Sequence, residues 1–269
     1  DGEEPTRLNL ARWPNWQESH PRDLMAEWPT WDQPQWWVQG RNTMDVDGTT
    51  KHVGIAASLP RPLEDLVGGT VWTEWGIVMG SPYPAEIEAV SEELDGIAFR
   101  GVWTYKDNER IITGNRYYIE DLPQFLDEPG EFWVEKTGEN NGRIYLRLPE
   151  GKEPDDVQIE AGKVYNHFEG SHFEHIHWTG LTFRFGNVDW DYNHPQWARP
   201  HLRVGAIRLN GSGDGIVIAN NTFEHVPMPI RIQVGGVNQE VGSVAITDNL
   251  MRHTDHGGAY VYNAFPRNR

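Results

Sequence analysis

Several carboxylates in the second half of this 269-residue chain stand in turns or in a long irregular loop, where they could face a ligand. Glycoside hydrolysis needs two carboxylates, about 5–5.5 Å apart for retention of configuration and about 6.5–9.5 Å apart for inversion. The candidates for such a pair are Asp255, Asp189, Asp191, Asp214 and Glu224. Asp255 is the favoured residue, because His256 follows it. Asp214, in the run NGSGDG, and Glu224 equally suit purely structural turns.

A set of polar and aromatic side chains would give these carboxylates a binding surface. Strands are expected at 206–209, 230–233 and 259–262, and alternate side chains of a strand point to opposite faces. If the aliphatic residues point inward, the expected substrate-binding residues are Arg208, Arg231, Tyr260, Asn210, Gln233 and Tyr262, joined by His256 and Trp190 from loops. Such side chains suit sugar hydroxyls and ring faces. The same alternation is also typical of an ordinary solvated face.

The elements that would position these residues are predicted by an internal repeat. The residues Ile218, Asn221, Phe223 and His225 recur 28 positions later as Ile246, Asn249, Met251 and His253. A fainter copy, Ile176, Thr179, Leu181 and Phe183, lies 42 residues upstream. A fixed period with short β-branched runs predicts a β-helix solenoid, with a turn at 210–214 and a stacked ladder of Asn221 and Asn249.

A second chemistry remains open beside hydrolysis. The basic residues Arg199, His201, Arg203, Arg208 and Arg231 cluster in an otherwise acidic chain. A polysaccharide lyase needs a base next to a uronate carboxylate and a cation or arginine that neutralises the acid, and this cluster could supply both. The loop at 189–205, which lengthens one repeat, is a further reason to expect function there.

The amino-acid composition limits the classes of partner and cofactor that this chain is expected to bind. The formal net charge of −17 argues against nucleic acid, and no apolar run is long enough to span a membrane. With no cysteine, disulfides and thiolate chemistry are excluded. No residue set predicts a metal site, so we expect no cofactor, with Ca²⁺ as the one further candidate at an acidic surface. The absence of cysteine is compatible with a secreted or cell-surface protein, in the extracellular space or periplasm.

The first half is expected to form a separate β-rich accessory or inserted domain, 1–165, ahead of repeat rungs at 166–269. Its first 60 residues are rich in Trp and Pro, and the tryptophans are either anchors for loops or platforms for sugar rings. Strands are expected near 71–78, 97–105 and 111–118, and a short helix or a loop at 86–94. Asp121 is expected to cap a helical turn, and a hairpin is expected around 138–142.

The chain resembles the right-handed parallel β-helix repeat proteins of the pectate-lyase-like superfamily, in particular large secreted bacterial glycoside hydrolases. The segments that carry the resemblance are GIVIANNTFEHV, SVAITDNLMRHT, LARWPN and NRYYIEDLPQFLDEPGEFWVEK. The resemblance implies a carbohydrate-active enzyme with an inserted β-domain. It does not identify which two residues of this chain would form a catalytic pair. Because such helices usually have many more rungs, we expect a fragment of a longer protein.

Three hypotheses follow for the function. The first is a glycoside hydrolase acting on a complex polysaccharide, and the second is a polysaccharide lyase acting on an acidic sugar. The third is a non-catalytic surface or assembly protein, whose end would contact further β-helix rungs or neighbouring chains.

Overall fold

The computed structural model describes residues 7–16, 25–32, 43–75, 78–99, 111–187, 204–234, 241–254 and 259–263. The chain is all-β, which confirms the predicted class. The helical segments in these ranges are the short 3-10 turns Leu63–Leu66, Pro123–Phe125 and Pro154–Asp156. Over the same ranges, the structure contains no helix with the length and apolar character of a membrane span.

Residue contacts divide the chain into two compact units. The amino-terminal unit comprises Asp1–Val157 and Tyr192–Gln196, and the carboxy-terminal unit comprises Gln158–Asp191 and Trp197–Arg269. Each unit has its own hydrophobic core.

The amino-terminal unit contains one large antiparallel sheet and one small sheet. Its strands are β1 (Asn9–Leu10), β2 (Arg12–Trp13), β3 (Thr43–Val46), β4 (Thr49–Ile55), β5 (Thr70–Trp75), β6 (Val78–Ser91), β7 (Gly96–Phe99), β8 (Tyr117–Glu120), β9 (Glu131–Val134) and β10 (Ile144–Leu146). The large sheet has the order β2-β8-β5-β6-β7-β4-β3, and the small sheet has the order β1-β9-β10.

Trp31 anchors the core of this unit. Its indole is fully buried, stacks on Tyr117 with 3.8 Å between ring centroids, and donates a 2.8 Å hydrogen bond from Nε1 to Thr73 Oγ1. A buried indole N–H needs such an acceptor, so the position specifies tryptophan over phenylalanine. The anchor interpretation of the Trp-rich segment is therefore confirmed for Trp31.

Several local predictions for this unit need correction. The segment 86–94 is neither a helix nor a loop up to Ser91, because β6 runs through it and pairs with β5 and β7. The strand expected at 111–118 begins only at Tyr117. Leu122, not Asp121, occupies the cap position of the following turn, and the Asp121 carboxylate pairs with Lys136 instead. The predicted hairpin is confirmed by the antiparallel pairing of β9 with β10.

The carboxy-terminal unit contains three parallel sheets. Its strands are β11 (Phe168–Glu174), β12 (His177–Thr179), β13 (Thr182–Arg184), β14 (Ile207–Asp214), β15 (Ile216–Ala219), β16 (Thr222–Glu224), β17 (Ile230–Val234), β18 (Val244–Thr247), β19 (Leu250–Arg252) and β20 (Ala259–Asn263). The sheets have the orders β11-β14-β17-β20, β12-β15-β18 and β13-β16-β19. Three consecutive strands therefore contribute one strand to each sheet, and the next three strands pair beside them.

The strand register confirms the 28-residue repeat and corrects its upstream copy. Ile218 pairs with Ile246, and Phe223 pairs with Met251. Upstream, however, Phe183 pairs with Phe223, an offset of 40 residues instead of the predicted 42. The two phenylalanine rings stack with 4.7 Å between centroids. A shift of two residues keeps the same side chains on the inner face of the strand. Sequence similarity alone could therefore not distinguish an offset of 40 residues from one of 42.

The predicted inward side chains of the first sheet are confirmed for β14 and β17, whereas the predicted inward Ala259 of β20 is exposed and the side chain of Val261 lies outside the described part of the structure. Ile207 and Leu209 of β14 and Ile230 and Ile232 of β17 are buried in the core. The turn predicted at 210–214 is wrong, because β14 continues as a strand to Asp214. Gly211 and Gly213 belong to this strand, where the glycines allow a close approach to β11.

A ladder of amides joins the turns between the second and third sheets. Asn221 is buried; its Oδ1 accepts from Leu181 N–H at 3.0 Å, and its Nδ2 donates to Trp178 O at 2.9 Å and to Asn249 Oδ1 at 3.0 Å. Asn249 Nδ2 donates to Ile218 O in the same way, one repeat later. The predicted stacking of Asn221 on Asn249 is confirmed. These amides satisfy turn backbone groups that the parallel ladders leave unpaired.

We predict that Asn221→Ala lowers the free energy of unfolding by about 2–3 kcal/mol, because it leaves the Leu181 N–H and the Trp178 carbonyl unpaired inside the protein. The exposed Asn210 provides the matched control, and Asn210→Ala should change stability by less than about 0.5 kcal/mol. Urea denaturation of both variants measures the difference. Equal stabilities would show that the ladder is dispensable.

Candidate functional site

The outward face of the first parallel sheet carries polar side chains in register. Arg208 lies opposite Glu169 on β11 and Arg231 on β17, and Arg231 lies opposite Tyr260 on β20. A second file places Asn210, Gln233 and Tyr262 opposite one another. The predicted register of both files is confirmed. The side chains of Tyr260 and Tyr262 lie outside the described part of the structure, as do all atoms of Asp255, Asp189, Asp191, His256 and Trp190 and of the basic residues Arg199, His201 and Arg203.

The two arginines of this face have different environments. Arg208 is partly exposed and forms an ion pair with Glu169, whose other oxygen accepts from Asn166. Arg231 is only 4 % exposed, and its Nη2 and Nε donate to Gln233 Oε1 at 3.0 and 3.3 Å. The prediction that Arg231 is exposed for substrate is therefore wrong. In this position Arg231 holds the amide of Gln233 in one orientation, which is a supporting role.

Two exposed carboxylates meet at the end of the same face. Glu174, the last residue of β11, lies directly opposite Asp214, the last residue of β14. Neighbouring strands are about 4.8 Å apart, so these two side chains, if extended side by side, would have the separation of a retaining glycosidase pair. Asp214 was among the predicted candidates, but Glu174 was not. Its role depends on the register between β11 and β14, which the repeat did not define because the offset there is 40 residues.

Asp214 is held in a fixed, ionised state. Its Oδ1 accepts hydrogen bonds from Ser243 N–H at 2.7 Å and Ser243 Oγ at 2.9 Å. These bonds lower the pKa of Asp214 below its ordinary value, and the backbone N–H of Gly215 and the charge of His175 act in the same direction. The same hydrogen bonds would also stabilise a turn with a purely structural role. Their result is a carboxylate that is charged at neutral pH at an exposed strand end.

Glu224, another predicted catalytic residue, is placed in an ion-pair network instead. It is 4 % exposed and lies between Arg184 and Arg252, with N–O distances of 2.8 and 2.7 Å. The strand register positions all three, because β13, β16 and β19 present them at equivalent positions. Burial opposes ionisation, but the hydrogen bond from Arg184 and the charges of Arg252, Arg184 and His225 lower the pKa of Glu224. The prediction of a catalytic role is not supported by this geometry, because both oxygens are engaged by guanidinium groups.

Two histidines stand beside this network. The rings of His225 and His253 stack with 4.8 Å between centroids and 8° between planes, and His225 Nε2 is 4.0 Å from Glu224 Oε1. The ligand atoms of these three residues lie within 4.8 Å of one another. Parallel rings direct their nitrogen lone pairs side by side instead of toward one point, and a cation would compete with two guanidinium groups for Glu224. This cluster is accounted for by its ion pairs and ring stacking.

A second cluster of polar and aromatic side chains lies in the amino-terminal unit. The Arg12 cluster consists of Arg12, Trp16, Trp28, Trp72, Tyr118 and Glu120. Strands β2, β8 and β5 position it, with Arg12 opposite Glu120 and Trp72 opposite Tyr118. The alternate residues Tyr117 and Ile119 belong to the core, so Tyr118 and Glu120 lie on the other face of the sheet.

The carboxyl group of Glu120 has a strongly altered acidity. Burial raises its pKa to about 7, against the lowering effect of the 2.6 Å hydrogen bond from Trp72 Nε1 and of the charge of Arg12. The charge of Asp121 adds to the increase. A carboxyl group that exchanges its proton near neutral pH is a feature of functional sites, although buried ion-pair networks have it too. Glu120 could not be recognised from the sequence, because its environment is assembled from three strands.

Comparison with protein-family models, with curated proteins and with solved structures finds no match to this chain. The functional conclusions below therefore depend on the geometry of these residues.

Glu224→Gln should lower the free energy of unfolding by about 2 kcal/mol at neutral pH, since Arg184 and Arg252 would then face each other without the intervening charge. Because folding lowers the pKa of Glu224, its stabilisation is present above the ordinary value of 4.5 and is lost as the pH falls through the folded-state value. Denaturation of the wild type and the variant between pH 2.5 and about 7 measures this. A pH-independent difference would contradict the ion-pair assignment. Glu160→Gln, at an exposed glutamate of the same unit, is the control.

The stability of the amino-terminal unit should have the opposite pH dependence at Glu120. Folding raises this pKa from 4.5 to about 7, so the favourable contribution is complete below 4.5 and is lost as the pH rises through 7. The unfolding free energy of Glu120→Gln should therefore increase, relative to the wild type, by about 3 kcal/mol between pH 4.5 and pH 8. Trp72→Phe removes the hydrogen bond that lowers the pKa, and should move the midpoint upward. A constant difference in Glu120→Gln would refute the assignment.

Proposed function

We propose that the carboxy-terminal unit is part of a right-handed parallel β-helix of the pectate-lyase-like type, and that the protein is a secreted glycoside hydrolase acting on a polysaccharide. The β-helix proposal is supported by strands that recur in the same order in three parallel sheets and by the ladder of Asn221 and Asn249. The resemblance of the repeats to that superfamily, and of LARWPN to its secreted enzymes, points the same way.

The observation that carries the enzymatic proposal is the pairing of Glu174 with Asp214. Two exposed carboxylates lie opposite each other on adjacent strands of a rigid sheet. A carboxyl separation equal to the strand spacing, about 5 Å, would leave no room for a water molecule between the carboxylate and the sugar, and would favour a retaining mechanism over an inverting one.

The environment of Asp214 assigns it the nucleophilic role. Its ionised carboxylate would attack the anomeric carbon and form a glycosyl ester, while Glu174 gives its proton to the oxygen of the departing sugar. In the second step Glu174, now ionised, takes a proton from water, and the resulting hydroxyl group displaces Asp214 from the anomeric carbon. Each group returns to its starting state, and one water molecule is consumed.

The polar files next to this pair would bind the polysaccharide. The amide groups of Asn210 and Gln233 can exchange hydrogen bonds with sugar hydroxyls, and Arg231 fixes the orientation of the second amide. The positions of Tyr260 and Tyr262 continue the same files on β20. A strip of this kind, parallel to the stacking direction of the strands, suits an extended chain of sugars.

Asp214→Asn and Glu174→Gln should each reduce the release of reducing sugar by about 10²–10⁴-fold, because each removes one carboxylate of the pair. The substrate is to be found by incubating the full chain with a panel of soluble plant and algal polysaccharides. The released sugar should retain its anomeric configuration when observed by ¹H NMR at early times.

Asp248→Asn is the matched control, because Asp248 is also an exposed aspartate at a turn, with a φ of 53° that asparagine tolerates. It should retain the wild-type rate. Full activity of both Asp214→Asn and Glu174→Gln would disprove the assignment. Products with a new C=C bond, detected by ultraviolet absorbance, would indicate a lyase, and no release from any polymer would favour the non-catalytic hypothesis.

A further inference from the structure

The Arg12 cluster is a fixed aromatic surface on the side of the large sheet that is not used for the core. The Arg12 guanidinium carbon lies 3.7 Å from the centroid of the Tyr118 ring, and 5.3 and 5.6 Å from the centroids of Trp16 and Trp28. Arg12 is itself 6 % exposed, and its Nε donates to Pro14 O at 3.0 Å. The cation therefore holds three aromatic side chains of different segments in one arrangement.

The outer members of the cluster remain accessible. Trp16 is 38 % exposed. Among the described residues of the amino-terminal unit, it is the one large aromatic side chain that is classed as exposed. Trp28, Trp72 and Glu120 are partly exposed beside it. An indole that only anchored a loop would be covered, as Trp31 is, whereas the Trp16 indole is partly open to solvent beside Arg12, which lies opposite Glu120 in the sheet.

We propose that the Arg12 cluster is a binding site for a neutral sugar ring of a polysaccharide, with Trp16 as the stacking platform and Glu120 as the hydrogen-bonding group. This site lies entirely within the amino-terminal unit, and the proposal does not rest on the proposed hydrolytic function. The sugar's C–H surface would pack on the indole, and its hydroxyls would bond to the Glu120 carboxyl, which is held in place by Trp72 Nε1.

The chemistry of the cluster argues against other ligands. The position over the Tyr118 ring that would bind a cation is filled by Arg12. An acidic sugar would approach Glu120 and a chain of net charge −17, which disfavours it. A protein partner would bury the polar groups of Glu120 and of Lys136, which is paired with the neighbouring Asp121, without evident partners for them. Hydroxyl groups of a neutral sugar can donate to the carboxylate and accept from its protonated form.

The test uses the full chain carrying Asp214→Asn, so that hydrolysis cannot remove the ligand. The neutral probes are mixed-linkage β-glucan, arabinoxylan and galactomannan, and the acidic probes are polygalacturonate and alginate. Hydroxyl-radical footprinting with mass spectrometry should show that at least one neutral polymer protects Trp16 from oxidation. Tyr165, exposed by 43 % in the other unit, is the control and should not be protected together with Trp16 by that polymer.

Substitutions provide the second measurement. Trp16→Ala and Glu120→Ala should each weaken the binding of the protecting polymer by about tenfold in calorimetry, while Tyr165→Ala leaves it unchanged. Protection of Trp16 by the acidic polymers alone, or by none of the polymers, would overturn the proposal, as would unchanged affinity of Trp16→Ala. Because the Asp214 carboxylate is absent throughout, these results are separate from the outcome of the hydrolysis experiment.

Discussion

The buried amide of Asn221 is the interaction on which the carboxy-terminal unit depends. It binds backbone groups of the preceding repeat and the side chain of Asn249 in the next one. Because a shift by one residue would turn every side chain to the other face, this bond fixes which residues are inside. On β14 the alternation of side chains places Arg208 and Asp214 on the outer face, and the opposition of Asp214 to Glu174 depends on the separate register of β11 with β14, which shifts between Gly170 and His172.

Strand pairing in the carboxy-terminal unit brings charged side chains opposite one another in two places, with different results. Between β13, β16 and β19 it stacks Arg184, Glu224 and Arg252, where alternating charges give attraction across both strand pairs. At the end of β14 the pairing with β11 places Asp214 opposite Glu174, and two hydrogen bonds from Ser243 stabilise the charge of Asp214.

Sequence reasoning predicted the features that depend on local pattern. The all-β class, the 28-residue repeat, the amide ladder and the two polar files could be derived, since each follows from alternation or period. It could not predict that Glu224 lies between two guanidinium groups, because Arg184 and Arg252 come from the neighbouring strands of its sheet, and it did not predict the burial of Arg231, which depends on tertiary packing. The strand through 210–214 was read as a turn because Asn, Gly, Ser and Asp favour turns, whereas close pairing with β11 requires the glycines of this segment.

The pKa values of two described carboxyl groups, Asp214 and Glu120, are shifted in opposite directions for physical reasons that can be named. Asp214 is exposed and accepts hydrogen bonds, so its charged form is favoured, while Glu120 lies among aromatic rings, so its neutral form is favoured. An ionised aspartate suits attack on an electrophilic carbon, and a carboxyl group near its midpoint can donate or accept a hydrogen bond at neutral pH. Burial beside these rings raises the Glu120 pKa, although the hydrogen bond from Trp72 Nε1 lowers it, and the same rings are surfaces on which a sugar can pack. Acidity and ligand preference therefore have a common origin in this cluster, namely a carboxyl group buried beside aromatic side chains.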